Sequence, residues 1–487
     1  MNLFVQARPE GFSLSSPKNT TTRLPADVKV ILTVLVGSAL VMFLNETILS
    51  VALPSIMTDF DIPATTAQWL TTGFMLTMAV VIPTTGWVLQ RFSTKQVFLA
   101  AVSSFLAGTV VAAAAPTFGI LLTGRIVQAF GTALIMPLLM TVALTVVPAN
   151  RRGSIMGIIS IVMSVAPALG PTVSGFILNR FTWHWLFWLV VPLIVVALLL
   201  GGFFIRNIGE TVRAPFDPPS VVLAALAFGG LVYALSTLGT NPQLALAIGA
   251  VGILALVVFV WRQLRLETPL LDLRPFTIRN YTVSVVVALL VMGTLLGVIM
   301  VLPIYLQTAL GISALVTGLM LMPGGLASGL LAPFIGRLYD SVGPRPLLIP
   351  GAVLLAGGVW AMTRLGIDST VGEVVTMHIV FSLGLALMMT PLMTTALGSL
   401  PSRLYGHGSA ILNTLQQLAG ATGTAVLIAA LASGTQASRD RGVDLAQATA
   451  DGAHTAFMVA GVLAILVLVA SPFVTKVAEE QQEEGQA

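Results

Sequence analysis

Gly86-Trp-Val-Leu-Gln-Arg-Phe-Ser-Thr-Lys95 and Gly336-Arg-Leu-Tyr-Asp-Ser-Val-Gly-Pro-Arg345 are two short loops built to one plan. Each opens on Gly, with an aliphatic residue two places on, a polar residue four on and a base nine on. They stand 250 residues apart. A tight loop between two helices wants a Gly and a base wherever it occurs. Two such loops in matching places indicate a duplicated unit, and parallel duplication with a binding site between the halves is a common plan of membrane transporters.

The surroundings of the loops set the class of protein. The first lies between apolar stretches 67–89 and 96–115, the second between 314–338 and 347–366. Ten further stretches complete the series: 28–54, 119–147, 155–178, 183–204, 221–239, 243–264, 281–309, 371–397, 409–433 and 453–476. Each is long enough to cross a bilayer as a helix. Only 9% of the 487 residues are charged and 56% are apolar, whereas a water-soluble domain is about 25% charged. The alternating ten-residue segments of a membrane β-barrel are missing. The expectation is therefore an all-α membrane protein of fourteen transmembrane helices.

Charge placement gives these helices a direction. With the N-terminus in the cytoplasm, 18 of the 23 Lys and Arg residues fall in inner segments, as the positive-inside rule requires. One miscounted helix would invert every later loop. An even count puts both termini inside. The basic balance, +4 with a pI near 9.7, is thus explained by membrane orientation rather than nucleic-acid binding. The chain has no Cys, so it forms no disulfide or thiolate metal site. Clustered His or carboxylates and a phosphate-binding P-loop are also missing, which argues against a metal centre, ATP hydrolysis and enzymatic activity.

The 250-residue spacing fits six helices plus two. The expected organisation is a cytoplasmic tail (1–27), a six-helix bundle (28–205), a Pro-rich linker (206–220) and two inserted helices (221–264). A basic linker (265–280), a second six-helix bundle (281–476) and an acidic tail (477–487) follow. The soluble ends are too short for enzymatic domains.

Five further stretches stand in order along the chain. They are Asn45-Glu-Thr-Ile-Leu-Ser-Val-Ala-Leu-Pro54, Gly124-Arg-Ile-Val-Gln-Ala-Phe-Gly131, Ala166-Pro-Ala-Leu-Gly-Pro-Thr-Val-Ser-Gly175, Trp183-His-Trp-Leu-Phe187 and His407-Gly-Ser-Ala-Ile-Leu-Asn413. With the paired loops, they make residues 28–476 resemble the major facilitator superfamily, in particular its fourteen-helix drug:proton antiporter branch. The resemblance implies two six-helix bundles with an inserted helix pair. It implies gating roles for Gly86, Gln90 and Arg91 and for Gly336, Asp340 and Arg345, and an antiporter motif at Pro167, Gly170, Pro171 and Gly175. The chain departs from the pattern at Gln90, where Asp is usual, at Ser93, where Gly is usual, and at Ser174. A gating charge at position 90 is thereby in doubt, while Asp340 and Gly343 keep the pattern in the second copy.

Ionisable groups inside a bilayer are costly and usually functional. Glu46 is the one acid well inside a span, and Arg125 the one base. Counted along their helices, both lie in the outer half, with Arg125 about 9 Å below the outer edge, so the two could meet within the N-terminal bundle. Burial favours a neutral carboxyl and a nearby guanidinium favours the charged form, and the sequence leaves that balance open. A carboxyl held between these influences can load and release a proton, and the resemblance points to the same pair. Pro171 removes a backbone donor and bends its helix, while Gly170 and Gly175 are expected to let helices approach closely and seal the bundles against leak. His378 is expected to hydrogen-bond a neighbouring helix.

Uncharged polar residues within spans are candidates for the substrate site: Asn45, Gln128, Tyr305, Gln307, Asn413, Gln416 and Gln417. The functional expectation is a proton-coupled antiporter that exports amphipathic, mostly apolar molecules across the cell membrane. It would act as a monomer, without a cofactor, driven by the proton gradient. With only one intramembrane acid, neutral or monocationic substrates are favoured over dications. Export of an endogenous lipid or metabolite, proton symport, and a non-transporting receptor or scaffold are the alternatives.

Overall fold

The computed structural model describes residues 25–62, 64–67, 69–208, 211, 215–238 and 241–476, and these are helical with no β-strand among them. Residues 1–24 of the tail expected at 1–27, the whole tail expected at 477–487 and part of the first linker lie outside the described residues, and Ala26 and Asp27 already belong to the first helix. Fourteen long helices run in order: α1 (Ala26–Phe60), α2 (Trp69–Arg91), α3 (Thr94–Ala113), α4 (Phe118–Val146), α5 (Arg152–Leu178), α6 (Trp185–Phe204) and α7 (Pro218–Thr237). They continue as α8 (Pro242–Arg265), α9 (Arg279–Ala309), α10 (Ala314–Val342), α11 (Arg345–Met362), α12 (Val371–Gly398), α13 (Tyr405–Arg439) and α14 (Leu445–Ala470). Among the described residues, 13 helices are long and apolar enough to cross a membrane. The remaining helix, α5, has 27 residues and spans about 40 Å, although several of its side chains lie outside the described residues.

The helix ends follow local chemistry. Ser93 caps α3 with a reciprocal pair, its side chain accepting from the Gln96 amide while the Gln96 side chain accepts from the Ser93 amide. Thr370 and Glu373 start α12 in the same way. These pairs satisfy amides that the first helical turn leaves without partners. The largest departures from the expected spans are at α13, which runs on to Arg439, and at α14, which starts at Leu445. Hydropathy marks the part of a helix that lies in lipid, whereas backbone hydrogen bonding continues past it. Asp444 caps α14 through the Gln447 amide at 2.8 Å.

Helices α1–α6 pack as one bundle and α9–α14 as another. The inserted pair α7 and α8 pack together, and α7 lies on α2 of one bundle and α13 of the other. Lipid-facing residues such as Leu199 and Phe203 on α6 and Leu246, Leu254 and Leu264 on α8 remain exposed. Such surfaces are stable only where a bilayer replaces water.

At the loop end of the inserted pair, a polar network replaces apolar packing. Asp217 accepts from Arg262 Nε at 3.0 Å and Nη2 at 2.9 Å, and from the Ser220 hydroxyl. Gln263 donates to Ser220 at 2.7 Å and accepts from the Leu271 amide at 3.2 Å. The Arg262 hydrogen bonds, opposed in part by burial, hold the Asp217 carboxyl below the usual carboxylate range. A depressed value means that the stabilisation is present above the ordinary value, about 4, and is lost as pH falls through the folded-state value. Asp217→Asn is therefore expected to lower the thermal midpoint in detergent at pH 7, with the gap to wild type closing on acidification. A gap that stays constant with pH would refute the ionic contribution.

Candidate functional site

Helices α1, α3 and α4 of the first bundle bring the intramembrane charges together. Arg125 lies seven residues into α4, about 10 Å from the helix's N-terminal end, and is 1% exposed. Its Nη1 donates to Asn45 Oδ1 at 3.2 Å and to Gln128 Oε1 at 3.0 Å. Gln128 passes the chain on, donating to the Thr109 hydroxyl on α3 at 2.8 Å. The guanidinium lies 4.3 Å from the centroid of the Phe74 ring on α2, a cation–π contact. Arg125 is thus a buried, oriented cation rather than a side chain reaching for the interface.

Glu46 adjoins Asn45 on α1 and lies within electrostatic range of Arg125, but the two do not form a direct ion pair. Asn45 takes the guanidinium contact instead. Glu46 Oε2 is buried without a hydrogen-bond partner among the described residues, and so is Arg125 Nε. An uncompensated carboxylate in this setting is costly. Residue type and depth were legible in the sequence, but the interposed Asn45 was not.

The paired loops lie at a contact between the bundles. Asp340, near the end of α10, accepts from the Gly153 amide at 2.7 Å, the Ser154 amide at 2.9 Å and the Ser154 hydroxyl at 2.6 Å. It therefore sits on the N-terminus of α5, where free amides and the helix dipole favour an anion. Gly336 makes this approach possible, because a β-carbon there would collide with the Gly153 carbonyl oxygen. In the other copy, Gln90 reaches His407 at the start of α13, with 2.8 Å between Nε2 atoms. Gly86 lies against the same ring, and a β-carbon on it would come 2.6 Å from Nδ1. The doubt over a charge at position 90 is thus met by a neutral Gln–His contact. Arg91 is exposed, and Arg345 donates to the Pro472 and Val474 carbonyls at 3.1 and 3.2 Å within its own bundle.

Further links between the bundles are Thr390 to Ser160 at 2.9 Å, Ser409 to Met140 sulfur at 3.5 Å and Asn413 to the same sulfur at 3.7 Å. By residue count, all lie within about 12 Å of the end bearing the gating loops. The bundles are joined at that end.

The other candidates are dispersed. Asn413 belongs to the seal and also donates to the Ser409 carbonyl at 2.8 Å. Tyr305 is buried and donates to the Gly366 carbonyl at 2.7 Å, while Gln307 is exposed on a π-helical turn. Gln416 is buried with Nε2 unpartnered, and Gln417 is half-buried. Gly170 abuts Thr47 of α1, whose hydroxyl donates to the Ala166 carbonyl at 3.1 Å. That contact lies within the first bundle, not between bundles as expected. Gly175 meets no neighbour within 4 Å, so the close approach expected of it is not made. The side chains of Pro167 and Pro171 lie outside the described residues. His378 also departs from expectation: its buried Nδ1 has no partner among the described residues, and the ring faces Gly324 of α10, which offers no side chain.

Relatives match the chain over nearly their full length. The chain is 40% identical over 440 residues to the lincomycin resistance protein LmrB of Listeria innocua, covering 89% of this chain and 93% of that one. It is 36% identical over 474 residues to LmrB of Bacillus subtilis, covering 94% and 98%. Among solved structures, the human organic anion transporter MFSD10 superposes with a TM-score of 0.67 at 15% identity, covering 92% of this chain and 99% of that one. A double Trp mutant of XylE gives 0.67 at 17% identity, covering 94% and 98%. The family model described as Major Facilitator Superfamily matches residues 35–424. Two six-helix bundles, paired loops between them and full-length relatives converge, and the chain belongs to the major facilitator superfamily of membrane transporters.

Proposed function

We propose that this transporter exports amphipathic drugs across the cytoplasmic membrane in exchange for protons, with both termini cytoplasmic. The observation that carries the reading is the unpaired Glu46 carboxyl beside the buried, oriented Arg125. The drug-export direction draws support from relatives named for lincomycin resistance.

The proposed cycle starts from the arrangement described, joined at the inner end. A proton from outside neutralises Glu46 and removes the cost of a buried anion. The bundles then rock to open the inner side, which breaks the Asp340–α5 and Gln90–His407 contacts. Substrate enters and the proton leaves to the cytoplasm, with Arg125 stabilising the carboxylate that remains. Each proton moving inward supplies about 2.3 kcal/mol per 100 mV of membrane potential. Asn45, Gln128, Gln416 and Gln417 are the polar groups offered to substrate, and the lone intramembrane acid favours neutral or monocationic compounds.

Everted vesicles from cells expressing the chain provide the test. Uptake of an amphipathic dye or of lincomycin should rise when the lumen is made acid and collapse on adding a protonophore. If no amphipathic compound moves under an imposed gradient, the exporter reading fails.

A further inference from the structure

His407 lies at the meeting point of three elements. Its ring is 3% exposed at the start of α13. Nδ1 accepts from the Asp272 backbone amide at 3.2 Å, and Nε2 faces Gln90 of α2 at 2.8 Å. Asp272 belongs to the linker between α8 and α9. The preceding linker amide, Leu271, is held by Gln263 of α8 at 3.2 Å. On the other side of the gating loop, Trp87 donates to the Pro215 carbonyl at 3.1 Å and packs 5.0 Å from Phe216, both in the linker that leads into α7. The inserted helices therefore grip the inner seal from both of their linkers.

The bonding around the ring specifies its chemical form. A nitrogen that accepts from an N–H carries no proton, so Nδ1 is the bare nitrogen and the ring is neutral with its proton on Nε2. Gln90 must then present its carbonyl oxygen to Nε2, the amide orientation being a matter of bonding logic. Gln suits this position because it accepts from a neutral imidazole without drawing a second proton onto it, as a carboxylate would. Protonation at Nδ1 would set two donors, the ring and the Asp272 amide, face to face. Asp272 is the charged group that acts on the ring, and its carboxylate is engaged by the Arg274 amide at 2.9 Å and by the Arg274 guanidinium at 3.9 Å. Two residues before His407, the Tyr405 ring lies 5.5 Å from the Arg152 guanidinium of α5.

We propose that His407 is a positioning residue that latches the inserted helices to the inner seal only in its neutral form, so that a proton arriving from the cytoplasmic side releases the linker and loosens the seal. This rests on the alternating-access reading above, but not on which substrate is carried or on Glu46 as the coupling acid.

The natural absence of Cys allows spin labels to be placed at Arg206→Cys and Arg403→Cys alone, two exposed inner-end positions on opposite bundles. Distances are read by electron–electron resonance without substrate, and the His407 response is the difference between the parent protein and His407→Asn, in which Glu46 and the Asp340 carboxylate at the seal titrate alike. With His407 present, acidification should raise the ratio of long-distance to short-distance species by about tenfold, the scale of a lost hydrogen bond at a charged group. His407→Asn, which keeps an acceptor near the Nδ1 position but does not titrate, should lose most of that increase. His407→Ala should be open at every pH. A flat response with His407 present, or an unchanged response in His407→Asn, overturns the proposal. The Asn variant decides the matter even if the Ala variant fails to fold. Because the readout is a distance, a failure of drug export would not be mistaken for a failure of the latch.

Discussion

Glu46→Gln should abolish export driven by a pH gradient while leaving the protein folded. Gln has nearly the shape of Glu and retains polar atoms beside Asn45, but it has no proton to exchange. Glu46 Oε2 has no hydrogen bond to lose, so the substitution should have little structural cost. Transport that depends on proton release should fall to the rate of a protein-free control, a loss of well over tenfold. Gradient-independent counterflow of substrate should persist, because the neutral amide resembles the protonated acid and leaves the bundles free to exchange. The measurement pairs the two assays in the same proteoliposomes. Full gradient-driven export by the variant would remove Glu46 from the coupling role. Loss of both activities would instead implicate the site in substrate binding.

Gly336→Val should disable the inner seal. α5 and α10 make the most extensive contact of any helix pair among the described residues, and it depends on backbone meeting backbone at Gly336 and Gly153. A side chain at Gly336 must push the two helices apart, and Asp340 then loses the Gly153 and Ser154 amides. Overpacking of this kind costs about 1–3 kcal/mol. If that cost falls on the sealed state alone, it moves the balance between sealed and open forms by roughly 5- to 150-fold. The expected result is a protein biased open at the inner end, with transport down at least tenfold. A cysteine at Asn413, now part of the seal, should label faster from that side in the Gly336→Val background. Gly318→Ala is the control on the same helix, because a β-carbon there meets nothing within 4 Å. Equal effects at the two glycines would mean that any side chain added to α10 disturbs transport and that no seal depends on Gly336.

The proposed coupling and gating sites were legible in the sequence to different depths, for physical reasons. Glu46 and Arg125 stood out because a bilayer makes any ionisable side chain an exception. Their direct meeting did not follow, because the partner each group takes depends on which face neighbouring helices present, and here Asn45 and Gln128 occupy the guanidinium. The gating loops were visible as a repeat, and Gly336 and Asp340 lie at the contact between bundles. The repeat gave no sign that its degenerate member, Gln90, would be answered by a histidine 317 residues away. Gly170 and Gly175 looked alike in one motif, yet Gly170 abuts Thr47 and Gly175 faces open space. Whether a glycine marks a close approach depends on helix rotation, which local composition does not encode.

The amino-acid sequence by itself determined that this is a helical membrane protein with duplicated bundles and two inserted helices. Transfer of apolar segments into lipid is a local property of each segment, and loop charges set direction one loop at a time. Only the tertiary structure decided which polar groups remain without partners, which bundle ends are joined and how the inserted helices grip the seal. Those outcomes depend on the rotation and spacing of helices far apart in the chain, where a single β-carbon or backbone amide determines whether two surfaces can meet.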